Sequence, residues 1–290
     1  MATACTNGLD TGFVDLGATK VAVLGAIEGV TETLAVSATA HTRLVPALIG
    51  WADPGGPFVA ALQIAVVIAI VVHFRRDVWR VTGGALGALQ RDDYAAFEFR
   101  LAVGMLVASL PLAFALLVGR RALAACESAL NTLWVVGGAT LAVAVALAIA
   151  ELVRRHERSF DEIRLRDVAA VGLAQALAVV PGVSWLGATL AAALLVGLRR
   201  ADAIRLAAVV ALPMLVFGGL RGLMVLRRAG LDAAGWKTLG LGLAVATVAA
   251  VVGLALLRAL TARFGTWPLV AYRALLGAFL LLVAGLGVLE

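Results

Sequence analysis

Charge is what this sequence has least of. Asp, Glu, Lys and Arg make up 14% of its 290 residues, where a soluble domain carries about a quarter. With 62% hydrophobic residues and a mean hydropathy of +1.01, that scarcity excludes an ordinary water-soluble fold. Cysteine is nearly missing too: Cys5 and Cys126 form no spacing that a disulfide framework or a zinc site needs. Residues 1–20 lack a basic start, an apolar block and a small-residue cleavage site, so no cleavable signal peptide is expected. What charge remains is basic, +6 net with a pI near 10.3. Spread between apolar stretches it reads as membrane-flanking loops, and no nucleic-acid partner is expected.

What is present is apolar sequence in lengths that cross a bilayer, about 20 residues per helix. Six segments read as spanning helices, at about 57–74, 100–119, 132–152, 206–226, 238–258 and 268–289. Two more, about 19–50 and 168–198, are interrupted, by Glu28 to His41 in the first and Pro181 to Thr189 in the second. At membrane depth such breaks survive only where backbone is buried in protein or lines a wet cavity. A shift of 147 residues places Gly25 on Gly172, Glu28 on Gln175, Val36 on Val183 and Ser37 on Ser184. Three long helices follow each break.

The expected fold is an all-α polytopic membrane protein, one membrane domain over 1–290 with six spanning helices and two re-entrant helical hairpins in an inverted-topology repeat. The repeats cover about 19–152 and 166–289, with a cytoplasmic loop at about 153–166. If the first hairpin opens outward, most positive charge falls inside, including the loop with Arg75, Arg76, Arg80 and Arg91, and Arg199, Arg200 and Arg205. Broken helices at matching positions of two halves point to a binding site between them.

The first break, "GAIEGVTETLAVSATAH" (25–41), sets Glu28 and Glu32 one turn apart on one helix face. Either one carboxyl keeps its proton, making an acid–base pair, or a cation sits between them. Intramembrane carboxylates are costly and point to function. Ser37 and Thr39 add hydroxyls, and His41 can move a proton near neutral pH. His73 and His156 read as solvated loop residues. The second break, "PGVSWLGAT" (181–189), offers Gly182 and Gly187 for a tight turn, with the hydroxyls of Ser184 and Thr189. Free N–H groups at such a turn, or at the next helix start, seat an anionic oxygen.

"LGAIEGVTETLAVSATAH" resembles the first signature of the bacterial undecaprenyl-diphosphate phosphatase family, the bacitracin-resistance type, EGxTEFLPVSSTGH. "GLAQALAVVPGVSWLGAT" is similar to its second, GxxQxLAxxPGxSRSGAT. "FVAALQ" (58–63), "VGG…E" ending at Glu151, "GLRRADA" with Pro213, and "AYR" (271–273) extend the likeness along nearly the whole chain. The resemblance implies removal of the terminal phosphate of a polyprenyl diphosphate, which recycles the lipid carrier of peptidoglycan synthesis. It implies a multi-pass protein of the bacterial plasma membrane, with its site toward the periplasm or exterior. It also implies a divalent cation, Mg²⁺ or Ca²⁺, held by Glu28 and Glu32. The family's histidine maps to His41, its second-motif serine and threonine to Ser184 and Thr189, and its glutamine to Gln175. Oligomeric state stays open, a homodimer included.

The departures sit in the motifs themselves. Ala35, Ala38 and Ala40 replace a proline, a serine and a glycine, while Trp185 and Leu186 replace an arginine and a serine. An indole is one neutral donor where an arginine fork binds phosphate twice. Ser37 or Thr39 could replace the lost hydroxyl, activated water could attack directly, and Arg221 or Arg43 could supply the charge. Arg221 sits inside an apolar helix, where it either has a functional partner or extends toward the headgroups. Alternative readings are a binder or carrier of polyprenyl phosphates that has lost hydrolysis, and an ion-coupled transporter unrelated to lipids.

Overall fold

The computed structural model describes residues 11–124, 132–153 and 157–287. Cys5, Cys126 and His156 lie outside the described residues, as do the side chains of Arg43, Arg120 and Arg121. The described residues form helices without a β-strand. All six expected spans are present, as α3 (Gly56–His73), α5 (Phe97–Ala124), α6 (Leu133–Val153), α9 (Arg200–Arg228), α10 (Ala233–Phe264) and α11 (Trp267–Gly285), each apolar and long enough to cross a bilayer.

Two boundaries differ from the sequence reading, for one reason. Arg205 and Arg258 look like span ends, yet the helices run through them. Arg205 Nε donates to Asp77 at 3.0 Å and the guanidinium of Arg258 lies 5.7 Å from the Phe74 ring centroid. Likewise, the expected loop after α3 is mostly a helix, α4 (Arg75–Gln90). It buries Val81 and Ala88 and leaves Trp79, Leu86 and Leu89 exposed.

Polar contacts identify the two ends of the bundle. At one end Arg200 donates to Glu151 at the close of α6, and the Thr266 hydroxyl, just before α11, donates to the same carboxylate at 2.9 Å. Arg80 of α4 bonds there to Glu98 and Asp161, and Arg158 bridges to Leu198. The opposite end holds the start of α3, where Phe13 N–H donates to Pro54 O at 3.0 Å.

The two interrupted regions are helix pairs, α1 (Phe13–Thr33) with α2 (Ala38–Ile49), and α7 (Leu165–Ala176) with α8 (Trp185–Leu195). Along α1, Gly25 faces Gly242, Gly29 faces Ala246 and Thr33 faces Gly253. Residue numbers climb together, so α1 runs parallel to α10, starting from the end where α3 begins. Close approach demands small residues; a Cβ on Gly29 would stand 2.3 Å from Ala246 O. Along α7, Val168 meets Gly104 and Gly172 meets Ala108, so α7 runs parallel to α5 from the opposite end.

Each pair also returns to the end from which it set out. Lys20 lies over the Trp51 ring at 5.5 Å, and Leu198, just past α8, sits beside Arg158. The breaks share an unusual backbone. Ala35 (φ 60°) matches Gly182 (φ 99°), and Ser37 (φ 76°) matches Ser184 (φ 60°), each at the 147-residue offset.

Candidate active site

The left-handed turns end α1 and the α7 segment and let a new helix start at once. Ser37 is the N-cap of α2 and Ser184 the N-cap of α8, each hydroxyl accepting from the N–H three residues on, at 3.4 Å. Both new helices begin at one cavity of about 480 Å³. Ala38 and Thr39 line it from the first turn of α2, and Ser184 and Trp185 line it from the start of α8. Two helix N-termini, with their free N–H groups and positive dipole ends, therefore converge on one space.

Glu32 and Gln175 face the same cavity. Glu32 Oε1 accepts from the Trp185 indole at 2.9 Å, so the residue replacing the motif arginine still reaches the carboxylate. Glu28, one turn back, is 2% exposed, and its Oε2 has no hydrogen-bond partner among the described residues. The Oε1 of Gln175, its counterpart at the 147-residue offset, is likewise buried without a partner. Buried polar atoms left this way are uncommon and call for an explanation.

The Nδ1–H of His41 donates to Ser37 O at 2.8 Å, since a carbonyl only accepts. Its Nε2 therefore accepts from the Tyr272 hydroxyl, 2.6 Å away, when the ring is neutral. His73, read as a solvated loop residue, instead ends α3 and contacts Ala69 O through Nδ1.

Of the residues singled out in the sequence, Glu32, Thr39, Gln175, Ser184 and Arg221 meet at the cavity. Glu28, Ser37 and His41 stand behind its wall, all three buried. Thr189 is fully buried, with its hydroxyl donating to Trp185 O at 2.7 Å. Gly182 presses on α6, where a Cβ would stand 2.4 Å from Val136 O.

Three contributors carried no role in the sequence reading: Arg273, Tyr272 and Gln63. Arg273, on α11, is fully buried. It donates to Ala35 O at 2.7 Å, Gly182 O at 2.8 Å, Val183 O at 3.1 Å and Thr140 O at 3.4 Å. One guanidinium thus satisfies the carbonyls that both breaks set free and ties the two turns to α6. Gln63, on α3, lines the cavity. Arg273, like Arg221, is a charged residue in an apolar helix, but it lies close to the helix start, where that signal is weak.

Among the described residues no group of three or more His, Cys, Asp or Glu side chains stands close enough to cage a metal. Glu28 and Glu32 are a two-carboxylate set with an unpartnered oxygen, which fits a cation that keeps water or substrate oxygens as its remaining ligands.

Residues 21–279 match the family model described as bacitracin resistance protein BacA. The chain is 43% identical over 261 residues to undecaprenyl-diphosphatase 2 of Mesorhizobium japonicum, covering 90% of this chain and 99% of that protein. It is 37% identical over 273 residues to the undecaprenyl-diphosphatase of Gloeobacter violaceus, covering 93% and 94% of the two chains. With that of Synechococcus elongatus it shares 33% over 269 residues, covering 92% and 93%.

Proposed function

We infer from membership of the BacA family, to which this chain belongs, that it hydrolyses undecaprenyl diphosphate to the monophosphate and inorganic phosphate. In that reaction a water oxygen bonds to the terminal phosphorus, and the bond from that phosphorus to the bridging oxygen breaks. The bridging oxygen leaves on the lipid, and the two protons of water pass to the phosphate products or to solvent. The observation that carries this reading is the convergence of two helix N-termini and a buried carboxylate on one cavity. Donors fixed in advance around a water-poor space stabilise the charge of a transferring phosphoryl group without reorganising.

In this reading the first-turn N–H groups of α2 and α8, with Ser184 and Thr39, hold the terminal phosphate. Gln175 Nε2 donates to the same oxygens. Glu28 and Glu32 manage the proton of the attacking water or bind a divalent cation, whose chemistry would be to neutralise phosphate charge. His41, fixed by Ser37 and Tyr272, is the general acid or base. Trp185 keeps Glu32 oriented. The hydroxyls of Ser37 and Thr189 serve the backbone, so they shape the turns rather than touch substrate.

The opposed directions of α1 and α7, and the matched left-handed turns, support an inverted repeat with a hairpin re-entering from each face. With the arginine-rich end of the bundle in the cytoplasm, the cavity, bounded by Gly56, Pro57 and Val225, opens to the outer side of the plasma membrane.

Phosphate release tests the reading. Purified protein in detergent receives undecaprenyl diphosphate labelled in its terminal phosphate, with Mg²⁺ or Ca²⁺. Labelled inorganic phosphate should appear, fall on the order of 10²–10³-fold in Glu28→Gln and Glu32→Gln, and stop with a chelator until the cation is returned. Absence of release from the wild type, or release indifferent to both substitutions, would overturn it.

A further inference from the structure

We propose that Arg221 binds the phosphate that stays on the lipid, the leaving group of the reaction; this rests on the function inferred above. Among the described residues that line the cavity, Arg221 is the one cationic side chain. It is exposed and makes no hydrogen bond or ion pair with any described residue. The one carboxylate lining the cavity among the described residues, Glu32, accepts from the Trp185 indole through Oε1. The Arg221 guanidinium is therefore available to a phosphate that enters the cavity.

Position decides which phosphate. Arg221 lies two turns before the end of α9, beside Gly222, which packs on Pro57 and Ala61 at the start of α3, an element separate from the α2 and α8 starts. Phe217, one turn earlier, lines the same cavity and is 54% exposed on the apolar outer face of the bundle. The cavity therefore has an exposed apolar margin beside Arg221, where a lipid tail can leave it. A polyprenyl diphosphate seated with its terminal phosphate at the α2 and α8 starts places its tail at Phe217. The phosphate carrying the tail then falls at Arg221. As the bond to the bridging oxygen breaks, negative charge grows on that phosphate, and a guanidinium there stabilises the transition state.

The experiment is binding of three phosphates to wild type, Arg221→Ala and Arg221→Lys in phospholipid-free detergent: undecaprenyl monophosphate, inorganic phosphate and phosphatidylglycerol. A charge-assisted hydrogen bond corresponds to roughly 10–100-fold in affinity. Undecaprenyl monophosphate should bind wild type, lose about that factor in Arg221→Ala, and regain part of it in Arg221→Lys. Inorganic phosphate, which occupies the terminal position, should be unaffected. Equal monophosphate affinity in wild type and Arg221→Ala overturns the proposal. So does an equal loss for phosphatidylglycerol, which would make Arg221 a headgroup contact. The binding result stands apart from the phosphate-release assay. Release without an Arg221 effect on binding fails the proposal alone, and an Arg221 effect without release fails the inferred function alone.

Discussion

Arg273 shows how a single side chain can hold a broken-helix site together. Interrupting a helix at membrane depth frees carbonyls with no water to meet them, and each one left unpaired costs about 1–3 kcal/mol. Four of its N–H···O contacts end on carbonyls of the two breaks and of α6. Arg273→Met keeps much of the volume and removes every donor. It should lower the apparent unfolding temperature in detergent by several degrees and abolish phosphate release. An unchanged thermal transition would mean the turns hold without it. This residue was hard to read in the sequence because "AYR" lies near a helix start, where an arginine ordinarily anchors at the headgroups. Glu28 and Glu32 were legible for the opposite reason, since a carboxylate pair in mid-segment has no inexpensive structural role. Ser37 and Thr189 were legible only as hydroxyls. Whether such a group faces a ligand or caps its own helix is decided by backbone angles at the turn, which the sequence does not display.

Among the elements, α1 depends on how near it can come to α10. Gly25 and Gly29 meet the α10 backbone with no room for a side chain, and Glu28 and Glu32, at i+3 from each of them, flank this seam. Gly29→Ala should destabilise the protein by about 1–3 kcal/mol through overpacking. Gly240→Ala on α10, where a Cβ meets nothing within 4 Å, should be neutral or slightly stabilising. Thermal unfolding of the two variants side by side checks this, and equal behaviour would contradict the seam. The six long spans were readable because hydropathy over about 20 residues is a strong signal. α4 was not, because its two buried residues, Val81 and Ala88, are too few to mark a helix face. The ends of α9 and α10 were misplaced because Arg205 and Arg258 find partners on neighbouring elements rather than water.

At the scale of the whole molecule, charge and cavity lie at opposite ends. Arg80, Arg158, Arg199, Arg200 and Arg205 are tied to carboxylates at one end. The cavity lies toward the other, between the start of α3 and the second half of α9. Hydrolysis in this cavity, open to the outer side of the membrane, is what the proposed function requires. Thr39 lines the cavity and is exposed there. The most direct measurement is therefore alkylation of Thr39→Cys, in a background with Cys5 and Cys126 replaced by Ser, by a membrane-impermeant reagent added to intact cells. Thr39→Cys should be labelled from outside, lose phosphate release once labelled, and be protected by undecaprenyl diphosphate. Labelling only after the membrane is opened, or full activity after labelling, would contradict the proposed function.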